Sequence, residues 1–322
     1  MIMWSHRDVV EARRLIAPHI TETPLLWSER MSRPGAGVYI KAEALQRTGS
    51  FKVRGALNAV GRLDEKARAR GVVTASTGSH GKGVAYAARA LGVSAVVVLP
   101  ENPVEVKRKA IEEYGARTVE YPGTSVDRIR YARALAEAEG RTFIHSFDAP
   151  GVFLGQGTVG LEIMEQLPEI DTVVVPIGGG GLIAGISIAI KEASPRTRII
   201  GVQPAGCAAM YHSLKRGEIV AIESCRTIAE GLSSSKPEPN TFSVVQRYVD
   251  DVVLVTDEEI KAAARRLLLD ERILVEASGA AATAAFLFGK FPLRNGNTVL
   301  VASGGNTDAA FVRELLAPTG PS

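Results

Sequence analysis

Short apolar runs rich in β-branched residues alternate along the chain with longer amphipathic stretches. The runs predict strands at Val38–Lys41, Val72–Ala75, Ala95–Leu99, Thr118–Glu120, Thr142–His145, Thr172–Pro176, Arg198–Gln203, Val252–Val255 and Thr298–Ser303. Between most of them the pattern predicts helices, among them Gly83–Leu91, Pro103–Tyr114, Ser125–Glu139, Gly157–Gln166, Leu182–Glu192, Asp257–Leu269 and Ala280–Phe288. Strands that are apolar throughout and alternate with helices belong to parallel sheets covered on both faces. The expected class is α/β with two domains, each a mostly parallel open twisted sheet. The units from Val72 to His145 make one sheet, and the segments before and after them make the other. A small substrate-binding domain, 53–148, is thus inserted into a large domain made of 1–52 and 149–322.

Composition narrows this picture. The 322 residues are 46% hydrophobic and 23% charged, as in a soluble enzyme. The net charge of +3 comes from scattered residues and argues for neither nucleic acid nor an anionic membrane. Cys207 and Cys225 lack CxxC spacing, so neither a disulfide framework nor a zinc site is expected. The apolar run Val173–Ile190 is broken by Pro176 and four glycines and reads as strand–turn–helix, not as a membrane span. The opening residues Met1–Asp8 have no long apolar run, so no signal peptide and a cytoplasmic location are expected.

Four segments carry candidate chemistry. In Gly49-Ser50-Phe51-Lys52, a lysine stands at a turn into a helix, with apolar Phe51 and cationic Arg54 nearby to lower its pKa. Ser76-Thr77-Gly78-Ser79-His80 joins a strand to a helix and offers hydroxyls and backbone N–H groups to a substrate carboxylate. His80 has no carboxylate partner in view, which favours a structural role over that of a base. Gly178-Gly179-Gly180-Gly181-Leu182 lets the backbone wrap a phosphate at a helix N-terminus. Residues 179–184 also fit G-x-G-x-x-A, but Gly201-Val202-Gln203-Pro204 supplies no acid for a ribose hydroxyl, which weakens a nicotinamide reading. Ser303 ends a strand before Gly304-Gly305, where open α/β sheets bind ligands. An activated amine and a phosphate cradle together point to pyridoxal 5'-phosphate held as a Schiff base.

Taken in order, the four segments resemble the fold type II, tryptophan-synthase-β-like pyridoxal phosphate enzymes, and within them the threonine/serine dehydratase and serine racemase family. The resemblance runs from Thr23-Pro24-Leu25 to Asn306. It includes Lys41-Ala42-Glu43, Gly155-Gln156-Gly157-Thr158 and Thr227-Ile228-Ala229-Glu230-Gly231. It implies that Lys52 carries the cofactor and acts as the Cα base, and that Phe51 packs near the ring. It further implies that Gly178–Leu182 hold the phosphate and that Ser303 faces the pyridine nitrogen. The implied reaction is β-elimination from a β-hydroxy-α-amino acid, L-threonine or L-serine first, to a 2-oxo acid and ammonia. A homodimer is also implied.

The chain departs from the family pattern in several places. Ser79 stands where the family has an Asn that contacts the cofactor's phenolic oxygen. Thr77 stands where serine racemases have a second-face serine, so a racemase using Lys52 and Thr77 on opposite faces is the alternative. The positions matching a family cation site are Gln203, Ala209 and the Cys207 carbonyl, so no tightly bound divalent metal is expected. The usual Glu-Pro reads Glu276-Ala277, and no regulatory domain is expected after residue 322. A weakly catalytic cofactor-binding protein is motivated only by Ser79, and the other segments oppose it.

Overall fold

A computed structural model describes residues 4–76 and 78–317 of the protein. Its six-stranded sheet contains β1 (Leu25–Trp27), β2 (Val38–Lys41), β7 (Thr172–Pro176), β8 (Arg198–Pro204), β9 (Asp251–Val255) and β10 (Thr298–Val301). Their order is β1-β2-β10-β7-β8-β9. All neighbours are parallel except β1 on β2, where Leu26 pairs with Ile40. The four-stranded sheet is drawn entirely from between β2 and β7: β3 (Val72–Ala75), β4 (Ala95–Pro100), β5 (Arg117–Tyr121) and β6 (Thr142–Phe143). Its order is β5-β4-β3-β6, all parallel.

The helices are α1 (His6–Ile16), α2 (Lys52–Gly61), α3 (Glu65–Arg70), α4 (Ser79–Ala90), α5 (Glu105–Glu112), α6 (Ser125–Ala138) and α7 (Pro150–Gln166). They continue with α8 (Gly181–Ala193), α9 (Ala209–Arg216), α10 (Pro239–Tyr248), α11 (Asp257–Leu269), α12 (Ala277–Leu287) and α13 (Ala309–Leu316).

Strand periodicity divides the side chains between the faces. In the large sheet Val174, Ile200 and Leu300 pack with α11 and α12 through Ile260, Leu267 and Ala281. Val173, Val175, Ile199 and Val299 pack on the other face with Ile183, Ile186 and Ile163 of α8 and α7. In the small sheet Val72 and Val97 meet α2 and α4 through Leu57 and Val84, while Val73 and Val96 meet Ala132 and Ala136 of α6.

Several expected elements shift for physical reasons. The antiparallel β1 was not expected; its three residues are too short to show a period. The fourth small strand stops at Phe143 because the chain turns back there, with the Phe147 and Asp148 N–H groups donating to His145 Nδ1 at 3.3 and 3.0 Å. The last large strand stops at Val301 because residues beyond it bend toward the Lys52 segment, where Ser50 bridges Gly304. Helix α7 begins at Pro150, well before the expected Gly157, because Pro fits a first helical turn and its glycines are contact points rather than breaks. A Cβ at Gly155 would lie 2.7 Å from Gly55 Cα, so α2 and α7 touch backbone to backbone. Asp257–Leu269 is helical as expected, started by a capping box of Thr256 and Glu259.

The two cysteines correct the sequence reading. Cys207 and Cys225 meet sulfur to sulfur as a disulfide, with Cα atoms 4.5 Å apart, inside the usual range. Spacing could not reveal this, because the approach comes from a backbone contact in which Arg226 N–H donates to the Gly206 carbonyl at 2.9 Å.

A buried ionic cluster ties β2, α2 and α7 together. The Arg54 guanidinium donates to both Glu43 oxygens at 2.8 Å and to Glu162 at 2.6 and 2.9 Å. Lys41 Nζ donates to Glu162 at 2.7 Å and to the Thr23 carbonyl at 2.6 Å. All four charged side chains are fully enclosed. Burial pushes the Glu162 carboxyl up, but Arg54 and Lys41 outweigh it and hold the group below the usual range. Removing one partner strands the others. Arg54→Met should cost about 3–5 kcal/mol in urea unfolding, as expected for uncompensated buried charge; a loss below about 1 kcal/mol would mean that Glu43 and Glu162 are not left as buried, unpaired charges.

Candidate active site

The site forms where the C-terminal ends of β2, β3, β7 and β10 converge, between the two sheets. After β2 the chain passes through a short turn, Glu43–Leu45, and then reaches Ser50-Phe51-Lys52. The Phe51 N–H donates to the Ser303 carbonyl at 3.2 Å, which joins the lysine segment to the end of β10. Gly83 of α4 lies against this turn, where an added Cβ would be 3.3 Å from the Lys52 carbonyl carbon. The small sheet's first helix therefore packs directly on the lysine.

Lys52 opens α2, and its ammonium stands 5.0 Å from the Phe51 ring centroid. Burial lowers its pKa to about 8, and Glu276 opposes that shift. Glu276, just before α12, is partly buried, and burial raises its carboxyl to about 7 against the pull of Lys52. It lies beside the Ser303 turn, since a Cβ on Gly304 would meet Glu276 Oε1 at 2.7 Å. Ser303 is buried, and its hydroxyl makes only a long bond, 3.5 Å, to the Ser278 carbonyl.

The glycine loop follows β7. Gly180 has φ +94°, in the left-handed region where glycine is at ease, and α8 starts at Gly181 with no side-chain cap. The first N–H groups of a 13-residue helix are thus left to an anion. Phe147 closes the loop from behind, 2.4 Å from where a Cβ on Gly179 would stand. Gly178 is backed by the turn Glu230–Leu232, and Leu182 is buried in the large-sheet core.

The loop after β3 brings Ser76, Gly78, Ser79 and His80 to the N-terminus of α4. Thr77 lies outside the described residues. Ser76 Oγ accepts from Gly78 N–H at 3.2 Å. His80 is 3% exposed, and its Nε2 faces the Ile144 carbonyl at 3.4 Å. Burial, then Lys52, holds its pKa down to about 3. His80 is therefore a neutral buried ring. Lys107 of α5 reaches Glu230 at 3.0 Å and links the small sheet's helices to the turn behind Gly178.

The resemblance implies that Lys52, the glycine loop and Ser303 share one site; the structure joins the Lys52 segment to the Ser303 strand end and sets the turn behind Gly178 against Ser278, which also meets Ser303. Sequence reasoning missed Glu276, Phe147, His145, Lys82 and Asn306 as site residues. Glu276 alone had a signal, a carboxylate at the family's Glu-Pro position. Among the described residues no group of three or more His, Cys, Asp or Glu lies together. Likewise, among them no helix is long and apolar enough to cross a membrane.

Two histidines generate a pH dependence. Burial lowers His145 to about 4, with Asp148 opposing, and lowers His80 to about 3. Both groups titrate at 6.5 when unfolded. Below that pH the unfolded chain binds protons that the folded chain refuses. The contribution is therefore whole above pH 6.5 and is lost on acidification toward about 4. The slope approaches about 1.4 kcal/mol per pH unit for each histidine. Urea midpoints over this range should fall with pH, and His145→Asn should fall less steeply than the parent. Equal slopes would mean that His145 is not held neutral.

The comparisons with known proteins agree with this geometry. The profile of a family described as pyridoxal-phosphate dependent enzyme matches residues 16–304. The chain is 44% identical over 306 residues to the L-threonine ammonia-lyase of Geobacter sulfurreducens, covering 94% of this chain and 76% of that one. It superposes on the maize serine racemase with a TM-score of 0.92 and 34% identity, over 97% and 96% of the two chains. The threonine deaminase of tomato, Solanum lycopersicum, in its processed isoform 2, gives a TM-score of 0.90 and 37% identity, over 96% and 91%. With the family profile spanning most of its length and these relatives matching nearly all of it, the chain belongs to the pyridoxal-phosphate dependent enzymes of fold type II.

Proposed function

We propose that the protein is an ammonia-lyase that converts a β-hydroxy-α-amino acid, L-threonine or L-serine first, to a 2-oxo acid and ammonia. The observation that carries this reading is the partly desolvated Lys52 amine, held near pKa 8 in a crevice that also contains an uncapped helix N-terminus. The residues present fit pyridoxal phosphate. The open N–H groups of Gly178–Leu182 suit its phosphate, and the weakly bonded Ser303 hydroxyl suits its ring nitrogen. When bound, the cofactor supplies the electron sink that makes loss of the substrate's α-proton accessible.

The chain's own residues do the rest. The N-terminus of α4, with Ser76 and Gly78, binds the substrate carboxylate and fixes the substrate's orientation. Lys52, with a pKa near neutrality, takes the α-proton. Ser303 bears a hydroxyl and no charge, so it leaves the ring nitrogen unprotonated, which suits elimination. His80 stays neutral and holds the loop in place. We assign the substrate domain to 53–148 and the cofactor domain to 1–52 and 149–322. The family resemblance supports a homodimer in the cytoplasm.

A second reading, an amino-acid racemase, is favoured by the superposition on the maize serine racemase. Thr77→Ala separates the two: loss of racemisation with elimination retained would support it. For the leading reading, the protein with pyridoxal phosphate should show a visible band that changes on adding L-threonine while 2-oxobutanoate accumulates. Lys52→Ala should abolish both band and turnover; normal turnover by that variant would overturn the assignment.

A further inference from the structure

One polar chain in the cleft has no part in the reading above. Asn306 lies just past Gly304-Gly305 and touches two neighbouring segments, the turn at Thr48 and the start of α4. Its Nδ2 donates to the Thr48 carbonyl and to Ser79 Oγ, each at 2.9 Å. Its Oδ1 accepts from Lys82 Nζ at 3.3 Å. The directions follow from chemistry alone. A carbonyl only accepts and an ammonium only donates, so the amide nitrogen faces Thr48 and the oxygen faces Lys82. Both Nδ2 hydrogens are then used, and Ser79 Oγ is an acceptor from Asn306. The hydroxyl proton of Ser79 is left over, with no acceptor among the described residues.

The place of that proton is informative. Ser79 and Gly83 are one helical turn apart on the same face of α4. Gly83 rests on the Lys52 backbone, so Ser79 projects on the lysine's side of the cleft. The far end of the chain is a partly buried cation. Among the described residues Lys82 has no carboxylate within salt-bridge reach, and burial lowers its pKa with Glu113 opposing. A donor series that ends in a cation strengthens its last hydrogen bond. In pyridoxal phosphate the phenolic oxygen is on the ring carbon next to the one that bears the aldehyde, so with the cofactor joined to Lys52 it would face the lysine nitrogen.

We propose that Lys82 and Asn306 are positioning residues that turn Ser79 into a charge-assisted hydrogen-bond donor to the phenolic oxygen of pyridoxal phosphate. The serine therefore does not act alone: Asn306 fixes which way its hydroxyl points, and Lys82 polarises it. This rests on the cofactor reading above and adds the residues that tune the cofactor's environment.

The test is a double-mutant cycle on the cofactor-loaded enzyme without substrate, using Ser79→Ala, Lys82→Met and the pair. The readouts are the dissociation constant for pyridoxal phosphate and the pH midpoint of its visible band. Each single variant should weaken cofactor binding roughly tenfold, the factor expected for a lost hydrogen bond to a charged group. Each should also move the midpoint upward, because a donor and its positive charge have left the anionic oxygen. The pair should be no worse than Ser79→Ala alone, since Lys82 acts through it. Lys82→Arg should restore most of the loss. Additive losses of roughly a hundredfold, or a Lys82→Met variant with unchanged affinity and midpoint, would overturn the proposal. Steady-state kinetics with L-threonine on the same variants complete the test: a change confined to the substrate KM, with cofactor affinity and midpoint unchanged, would also overturn it and assign Ser79 to the carboxylate. If the parent chain forms no visible band at all, the cofactor reading itself fails, which is a distinct result.

Discussion

The contact on which the site depends is the clamp of Arg54 between Glu43 and Glu162. Arg54 is two residues beyond Lys52, on the first turn of the same helix. Its planar fork meets Glu43 through two bonds and Glu162 through two more, so it fixes both the rotation and the depth of α2. Lys41 at the end of β2 shares Glu162, so strand, helix and α7 are referred to one carboxylate. Such a cluster contributes little net stability, because each ion loses its water on burial. What it provides is direction: alternative packings of α2 leave a buried charge unpaired. Close glycine contacts at Gly55 and Gly155 complete the arrangement by letting the backbones meet.

The electrostatics of the cleft have a common cause. Burial favours the uncharged form of four ionisable groups there: it lowers Lys52, His80 and His145 and raises Glu276. Lys52 and Glu276 oppose each other's shifts, which leaves both near neutrality rather than far from it. A proton can therefore move to or from either group at modest cost. The two histidines, by contrast, are far from their own transition and serve as neutral packing. The backbone dipoles at the start of α8, proposed above for the cofactor phosphate, do not titrate.

How much of this was legible in the sequence depends on the range of the interaction. The strands could be read because their burial is recorded locally, residue by residue. The class and the two sheets follow from strand ends and turn chemistry, which are also local; the grouping of Lys52, Gly178–Gly181 and Ser303 into one site comes from the family resemblance. The clamp on Arg54 could not be read, since Glu43 and Glu162 are separated from it by different distances along the chain and carry no shared motif. Asn306, Lys82 and Phe147 were missed for the same reason. The pairing of Cys207 with Cys225 was set aside on spacing, and a backbone contact between their neighbours brought them together. Helix α7 was read too short because its glycines resemble punctuation until α2 and α8 are packed on them.

Gly83 gives the cleft its tolerance. The helix that carries Ser79 and Lys82 meets the Lys52 backbone with only a hydrogen atom as spacer, and an added Cβ would sit at 3.3 Å from Lys52 and Val53. The gap between the two sheets is therefore gauged on the scale of a methyl group where α4 touches the Lys52 backbone. Any residue larger than glycine would act as a shim, and the error would be carried by the helix to every donor that faces the ligand.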